Sequence, residues 1–211
     1  MKPGSRSAGE AALSVSPQVG SRQRKLFNAR QENGATIEAL EQFRADKKIR
    51  VRTRRVGMDI TWVTDRIAVG GGIWNAENMA AVWRAGITHI IDMQIEFDDT
   101  PLAAPHGIAV CWNPVDDDFE PKPGHVFERG VEFALGALKE SEARLFIHCA
   151  AGVHRAPMMT LALLGVMGWT PAEAMELIEV RRPAADFAEV YVESVADYLK
   201  GRLRTWSSHG S

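Results

Sequence analysis

Cys149 and Arg155 stand six positions apart in the stretch FIHCAAGVHRAPMM (146–159). Between them lie Ala150, Ala151, Gly152, Val153 and His154, and the apolar run before the thiol ends in His148. A strand, a tight glycine-containing loop and a helix start make an anion cradle. The loop N–H groups point inward and the helix dipole adds positive potential. Arg155 closes the ring with a planar fork that matches two phosphate oxygens. A thiol in that field is placed to react as the thiolate, its nucleophilic form. The spacing therefore points to attack by Cys149 on the phosphorus of a phosphate held by residues 150–155. A Cys and an Arg at this distance also arise by chance, and the strand before and apolar helix after are what lift the pair above that.

Cleaving a phosphate ester needs a proton for the leaving oxygen. The loop NPVDDDFEPKPG (113–124) offers Asp116, Asp117 and Asp118, and clustered carboxylates help keep one of their number protonated. An acidic turn is usually only a solvated loop. Its place ahead of a helix and the Cys strand gives it weight.

The surrounding text must position these groups. ITWVTDRIAVGG (60–71) reads as two short strands and a turn. Asn75 is placed to cap a helix whose Met79, Val82 and Trp83 share a face, and Gly86 to end it. Residues 87–93 and 107–112 read as buried strands. A helix then carries Phe127, Val131, Ala134, Leu135 and Leu138 on one stripe, and RLFIH (144–148) is a short strand. Residues 156–167 are apolar nearly all round, which predicts a buried central helix. TPAE (170–173) is a capping box with proline at the first helical position. Asp186 is placed to cap a last helix that uses Phe187, Val190, Tyr191, Val195 and Tyr198. Strands alternating with helices predict an α/β fold: a central, mostly parallel sheet with helices on both faces, and the phosphate loop between a central strand and a buried helix. Ligands bind such sheets at the carboxyl ends of the strands, where His148 and Cys149 stand.

Composition narrows the classes. The 211 residues are 45% hydrophobic and 25% charged, with a net charge of −2, as in an ordinary globular protein. Two cysteines, Cys111 and Cys149, are too few for a disulfide scaffold or a Cys-rich zinc site. No run approaches the roughly 20 apolar residues of a membrane span. The first 58 residues carry 13 Lys and Arg against 5 Asp and Glu, while the rest carry 12 against 22. We read residues 1–55 as a basic arm, partly disordered, with a helix over 36–48; 56–205 as the catalytic domain; and 206–211 as a disordered tail. KKIRVRTRR (47–55) reads as a solvated linker more than a nucleic-acid patch, since only Phe27 and Phe43 lie nearby to stack on bases. The expected compartment is the reducing cytoplasm. The Ser- and Arg-rich first 31 residues also fit an organellar transit peptide.

HCAAGVHRAP (148–157) resembles the His-Cys-x5-Arg signature of cysteine-based protein tyrosine phosphatases, and the order of elements resembles the dual-specificity branch, from about residue 60 to residue 203. GIAVCWNPVDDD (107–118) is similar to the strand and acid loop of the phosphatases of regenerating liver, and FERGVEFALGALK (127–139) to the helix after it in compact dual-specificity enzymes. The resemblance implies Cys149 as nucleophile, Arg155 as transition-state clamp, and Asp117 as acid and then base, with Asp116 and Asp118 as alternates. It implies that His148 bonds to backbone around the loop and helps hold the thiolate. It implies a phosphocysteine intermediate, no metal or other cofactor, and a phosphorylated substrate, in the first place a phosphoprotein.

Two residues depart from the pattern. Most relatives have Ser or Thr after the Arg, whose hydroxyl helps the sulfur leave; this chain has Ala156, as in the regenerating-liver and some plant glucan phosphatases. Slow hydrolysis of the phosphoenzyme is the expectation. His154 stands where relatives with that Ala often have Gly, and is placed either to face solvent or to sense anionic charge at the pocket mouth. Ala156 also motivates a second reading, a phosphate-reading binding module. A third is a phosphatase of a non-protein substrate: an RNA 5′ end, a glucan or a phosphoinositide. The basic arm favours an acidic partner or nucleic acid, and the loop's lack of Lys counts against a lipid.

Overall fold

The computed structural model describes residues 57–208, with side chains to residue 202. The expected arm, its helix over 36–48 and the basic run at 47–55 lie outside the described residues. Strand β1 (Ile60–Trp62) pairs antiparallel with β2 (Ile67–Gly70). Next come α1 (Ala76–Arg84), β3 (His89–Asp92), a short α2 (Thr100–Ala103) and β4 (Ala109–Trp112). Then follow α3 (Gly124–Ala137), β5 (Leu145–His148), α4 (Arg155–Val166), α5 (Pro171–Arg181) and α6 (Glu189–Ser208). The sheet order is β1-β2-β5-β3-β4, parallel except at β1. No described helix is long and apolar enough to cross a membrane.

β5 lies in the middle of this sheet, buried at all four positions. Its register aligns His148 with Gly70 on one side and Asp92 on the other, so three strand ends meet where Cys149 begins the loop. Alternation along β5 sorts its side chains. Phe146 packs with Met79, Val82, Ala103 and Ile108 in the core under α1 and α2. The His148 ring stacks on Phe146, their centroids 5.1 Å apart, so it faces the same way. α3 and α4 pack against β3 and β5, and α4 also contacts α5 and α6. The first ten residues of α4 are all buried, as its all-round apolar text requires.

Local signals hold at most ends. Asn75 Oδ1 accepts from Asn78 N at 2.9 Å, Gly86 adopts φ 80° after α1, and the Thr170–Glu173 capping box is complete. Three expectations need correction. Trp83 does not share the buried face of Met79 and Val82; it is 53% exposed and leans on His106, because it lies a full step round the helix from Val82. The 107–112 strand is not fully buried, since β4 is the sheet edge and Trp112 is exposed. Asp186 does not cap the last helix, which starts at Glu189; its N–H instead donates to Val153 O at 2.9 Å and docks the preceding loop on the phosphate loop. α6 itself runs from Glu189 through Ser208.

Candidate active site

Cys149 is 1% exposed at the floor of the loop, and Gly152 N–H donates to its Sγ at 3.2 Å. This is the anion cradle in its simplest form: a loop amide aimed at the sulfur. Gly152 adopts φ 65°, and a Cβ there would stand 2.3 Å from Arg182 Nη2 and 2.5 Å from Gly70 backbone. Only glycine makes this turn at this approach. Gly72 N–H donates to Ala150 O and Met93 N–H to His148 O, which tie the loop to the ends of β2 and β3.

Two buried arginines meet the loop and do different work. Arg182 has all five donors committed: Nε to Gly152 O, Nη1 to Asp59 Oδ1 and Thr61 Oγ1, and Nη2 to Asp59 Oδ2 and Ala151 O. It holds loop carbonyls outward, which leaves the amides free to face in. In return its guanidinium holds the Asp59 carboxyl below the usual carboxylate range. Arg155 is committed at one end only. Nη1 donates to Glu96 Oε2 at 2.9 Å and Val115 O at 3.0 Å, and Nη2 to Glu96 Oε1 at 2.8 Å. Its buried Nε has no hydrogen-bond partner among the described residues. The Nε–H and the second Nη2–H therefore remain free, enough for two oxygens of one anion. Glu96, held below its usual range by the same guanidinium, fixes the fork without filling that edge.

The three acid-loop candidates separate by contacts. Asp116 caps the next amide, Asp117 N–H, and Asp118 pairs with Lys122 and accepts from Glu120 N–H. Asp117 faces the loop. Its Oδ2 lies 3.1 Å from His154 Nδ1 and 3.7 Å from Arg155 Nε, and its Oδ1 accepts from Tyr191 Oη at 3.0 Å. Sequence reasoning missed Tyr191 as a site residue, and Arg182, Asp59 and Glu96 with it. Tyr191 was visible only as part of a helical stripe, and Arg182 only as one of two basic residues after a helix.

The His148 ring meets carboxylates where backbone was expected. Nε2 lies 2.7 Å from Asp99 Oδ2 and 3.7 Å from Asp92 Oδ1, and all three side chains are fully buried. They form the metal-ligand-type group found among the described residues. The 2.7 Å contact is direct, shorter than the roughly 3.3 Å between two ligands at tetrahedral zinc distances. It reads as a direct contact between the two side chains, not a seat for a metal. Burial pushes the Asp92 carboxyl up to about 7, against attraction from His148. A carboxyl raised on folding adds stability at low pH and loses it as the pH rises toward and through 7. The span from its ordinary value is worth on the order of 4 kcal/mol. Asp92→Asn should accordingly flatten the fall in unfolding free energy between about pH 5 and about pH 8. Urea titrations of both proteins at the two pH values check this; parallel curves would rule the shift out.

The catalytic-domain model of the dual specificity phosphatases matches residues 74–200. That is more than half of the chain, and it spans the loop, the acid loop and the helix between. The chain belongs to this family. The protein-tyrosine-phosphatase IBR5 of Arabidopsis thaliana is 28% identical over 76 residues, 36% of this chain and 29% of that protein. This chain spans less than a third of the length of the curated relatives it matches. Among solved structures, PTPMT1 has a TM-score of 0.61 at 19% identity, covering 71% of this chain and 99% of that one. Human DUSP28 has a TM-score of 0.57 at 19% identity, covering 72% and 99%. These two likenesses show the fold.

Proposed function

We propose that this phosphatase hydrolyses phosphoric monoesters with Cys149 as nucleophile, Arg155 as clamp and Asp117 as acid and base, and that its substrates are phosphoproteins. The observation that carries this is the Gly152 amide on the Cys149 sulfur together with Arg155, which interacts electrostatically with that sulfur and keeps its Nε–H without a hydrogen-bond partner among the described residues. Phosphate oxygens take the loop amides and that guanidinium edge. The sulfur attacks phosphorus, the S–P bond forms as the P–O bond breaks, and Asp117 delivers a proton to the leaving oxygen. Water deprotonated by Asp117 then attacks the phosphocysteine and the thiolate leaves. Charge on the equatorial oxygens is met by groups already in place, so positioning and electrostatics supply most of the rate.

The protein substrate is favoured over a polyanionic lipid or RNA end by charge. Glu96, Asp117 and Asp186 border the loop, and Arg182 has no donor left for a second phosphate. A structure of the relative PTPMT1 is in complex with PI(5)P, which keeps phosphoinositides in the screen. The test is phosphate release from para-nitrophenyl phosphate with a chelator present, followed by acid quench and mapping of the covalent phosphate. Phosphate on Cys149 is the expected result; phosphate on another residue, or no release from the folded protein, overturns the reading. Phosphopeptides, phosphoinositides, glucans and RNA 5′ ends are then compared.

Ala156 is fully buried, and the nearest hydroxyl along the helix, that of Thr160, donates to Ala156 O at 2.8 Å. No hydroxyl is thus offered to the departing sulfur from residue 156. Ala156→Ser is expected to raise steady-state turnover several-fold while leaving the burst unchanged. A burst-to-steady-state ratio equal to wild type would remove Ala156 as the cause of slow hydrolysis.

A further inference from the structure

The acid Asp117 has a partner at each oxygen. Tyr191 donates to Oδ1, and burial together with Asp117 itself pushes that phenol up to about 12, so it keeps its proton. Tyr191 Oη in turn accepts from Phe119 N–H at 2.9 Å, which fixes its direction. Oδ2 faces His154 Nδ1 at 3.1 Å and Arg155 Nε at 3.7 Å. Tyr191 occupies Oδ1 as a donor, which leaves Oδ2 as the oxygen that shares a hydrogen bond with the His154 ring at 3.1 Å. Arg155 does not release a proton in proteins.

The ring of His154 is placed to hold one. Its Nε2 lies 3.4 Å from Asp186 Oδ2, so each ring nitrogen faces a carboxylate. Neutral imidazole carries one N–H and the imidazolium two; only the imidazolium puts a proton toward both. The ring is also held. Phe119, at φ 58°, sets its edge against the imidazole with centroids 5.0 Å apart, and stacks on Tyr191 at 5.8 Å. Asp186 is fixed by its own N–H on Val153 O. The charged and titratable groups facing the pair are Asp186 from the loop before α6, Tyr191 from α6 and Arg155 from α4. Glu96 stands behind Arg155, and the Asp118–Lys122 pair lies in the acid loop.

We propose that His154 holds the proton that Asp117 delivers, so that the acid of this site is a histidine–aspartate pair; the proposal rests on the phosphatase reading above. When a phosphate dianion takes the free edge of Arg155, its negative charge comes against Asp117. The proton crosses one hydrogen bond, from Nδ1 to Oδ2. It then passes to the leaving oxygen as the P–O bond breaks and the S–P bond forms. In the second step Asp117 takes a proton from the attacking water and returns it to Nδ1, and the pair is restored.

The test compares wild type with His154→Asn, whose amide keeps a donor near the Nδ1 position but carries no mobile proton. Phenyl phosphate has a leaving group that needs the proton; para-nitrophenyl phosphate needs it far less. The variant is expected to lose roughly ten- to a hundred-fold in kcat/KM on phenyl phosphate, with a much smaller loss on the nitrophenyl ester. The basic limb of the phenyl phosphate pH profile should move as well. A merely structural role would lower both esters by one factor and leave the limb in place, and that result overturns the proposal. Nitrogen NMR of the His154 ring gives a readout without turnover. A protonated ring in the free protein near neutral pH, losing its proton when orthovanadate binds, supports the pair; a ring neutral at rest overturns it. If wild type hydrolyses neither ester, the phosphatase reading fails by itself, and the NMR still decides whether His154 carries the proton.

Discussion

Cys149→Ser is expected to lower kcat by about 10⁴- to 10⁶-fold, the range seen when a covalent nucleophile is lost. The hydroxyl fits the same space and still accepts from the Gly152 amide that now reaches Sγ at 3.2 Å. It does not ionise as a thiol does, so the attacking anion is gone while the cradle remains. Affinity for phosphate should therefore stay within a few-fold of wild type. The melting temperature should move little, because a 1%-exposed side chain is replaced by one of nearly the same shape. Single-turnover kinetics, isothermal titration with phosphate and a melting curve measure the three quantities. Substantial residual turnover in a folded variant would sink the assignment. A collapse of phosphate affinity alongside kcat would instead say that the serine had disturbed the loop.

What could be read from the sequence is what is encoded locally. The strand before Cys149, the glycine at 152 and the apolar helix after Arg155 are contiguous, and each has a short-range physical signature. The central place of β5 and the all-round burial of α4 follow from uninterrupted apolar text. The residues that hold the site were not legible, because their contacts join positions far apart in the chain. Asp59 meets Arg182 across 123 positions, Glu96 meets Arg155 across 59, and Tyr191 meets Asp117 across 74. Nothing in the text around Glu96 marks it as an arginine's partner. Asp186 illustrates the limit: its type and position suit a helix cap, yet the structure uses its amide and its carboxylate on the phosphate loop. The fully buried group of His148 with Asp92 and Asp99 was hidden for a further reason. A run such as ITHIIDM (87–93) reads as a core strand, and the pairing that makes its single carboxylate tolerable comes from β5 and from the residue before α2.

Arg155→Lys is expected to cost about 10³- to 10⁵-fold in kcat, the range associated with an arginine that stabilises a phosphoryl transition state. The charge survives this change and the geometry does not. Arg155 performs two tasks at once: three hydrogen bonds anchor one end of its plane to Glu96 and Val115 O, and its Nε edge keeps no hydrogen-bond partner among the described residues. An ammonium is a point charge with three donors and no fixed fork. If it pairs with Glu96 it is held away from the phosphate; if it turns to the phosphate, Val115 O loses its donor. Either way the equatorial oxygens lose a bidentate partner just as charge builds on them. The loss should appear in kcat more than in KM, since the fork matters most in the transition state. Steady-state kinetics on one ester and a vanadate titration separate the two. Retention of more than about a tenth of the activity would require another clamp. Among the described residues the other guanidinium touching the loop is Arg182, and its five donors are already bound to Asp59, Thr61, Ala151 and Gly152. It could serve only by letting go of the loop it shapes, so a mild Arg155→Lys phenotype would overturn the cradle itself and not just one residue's role in it.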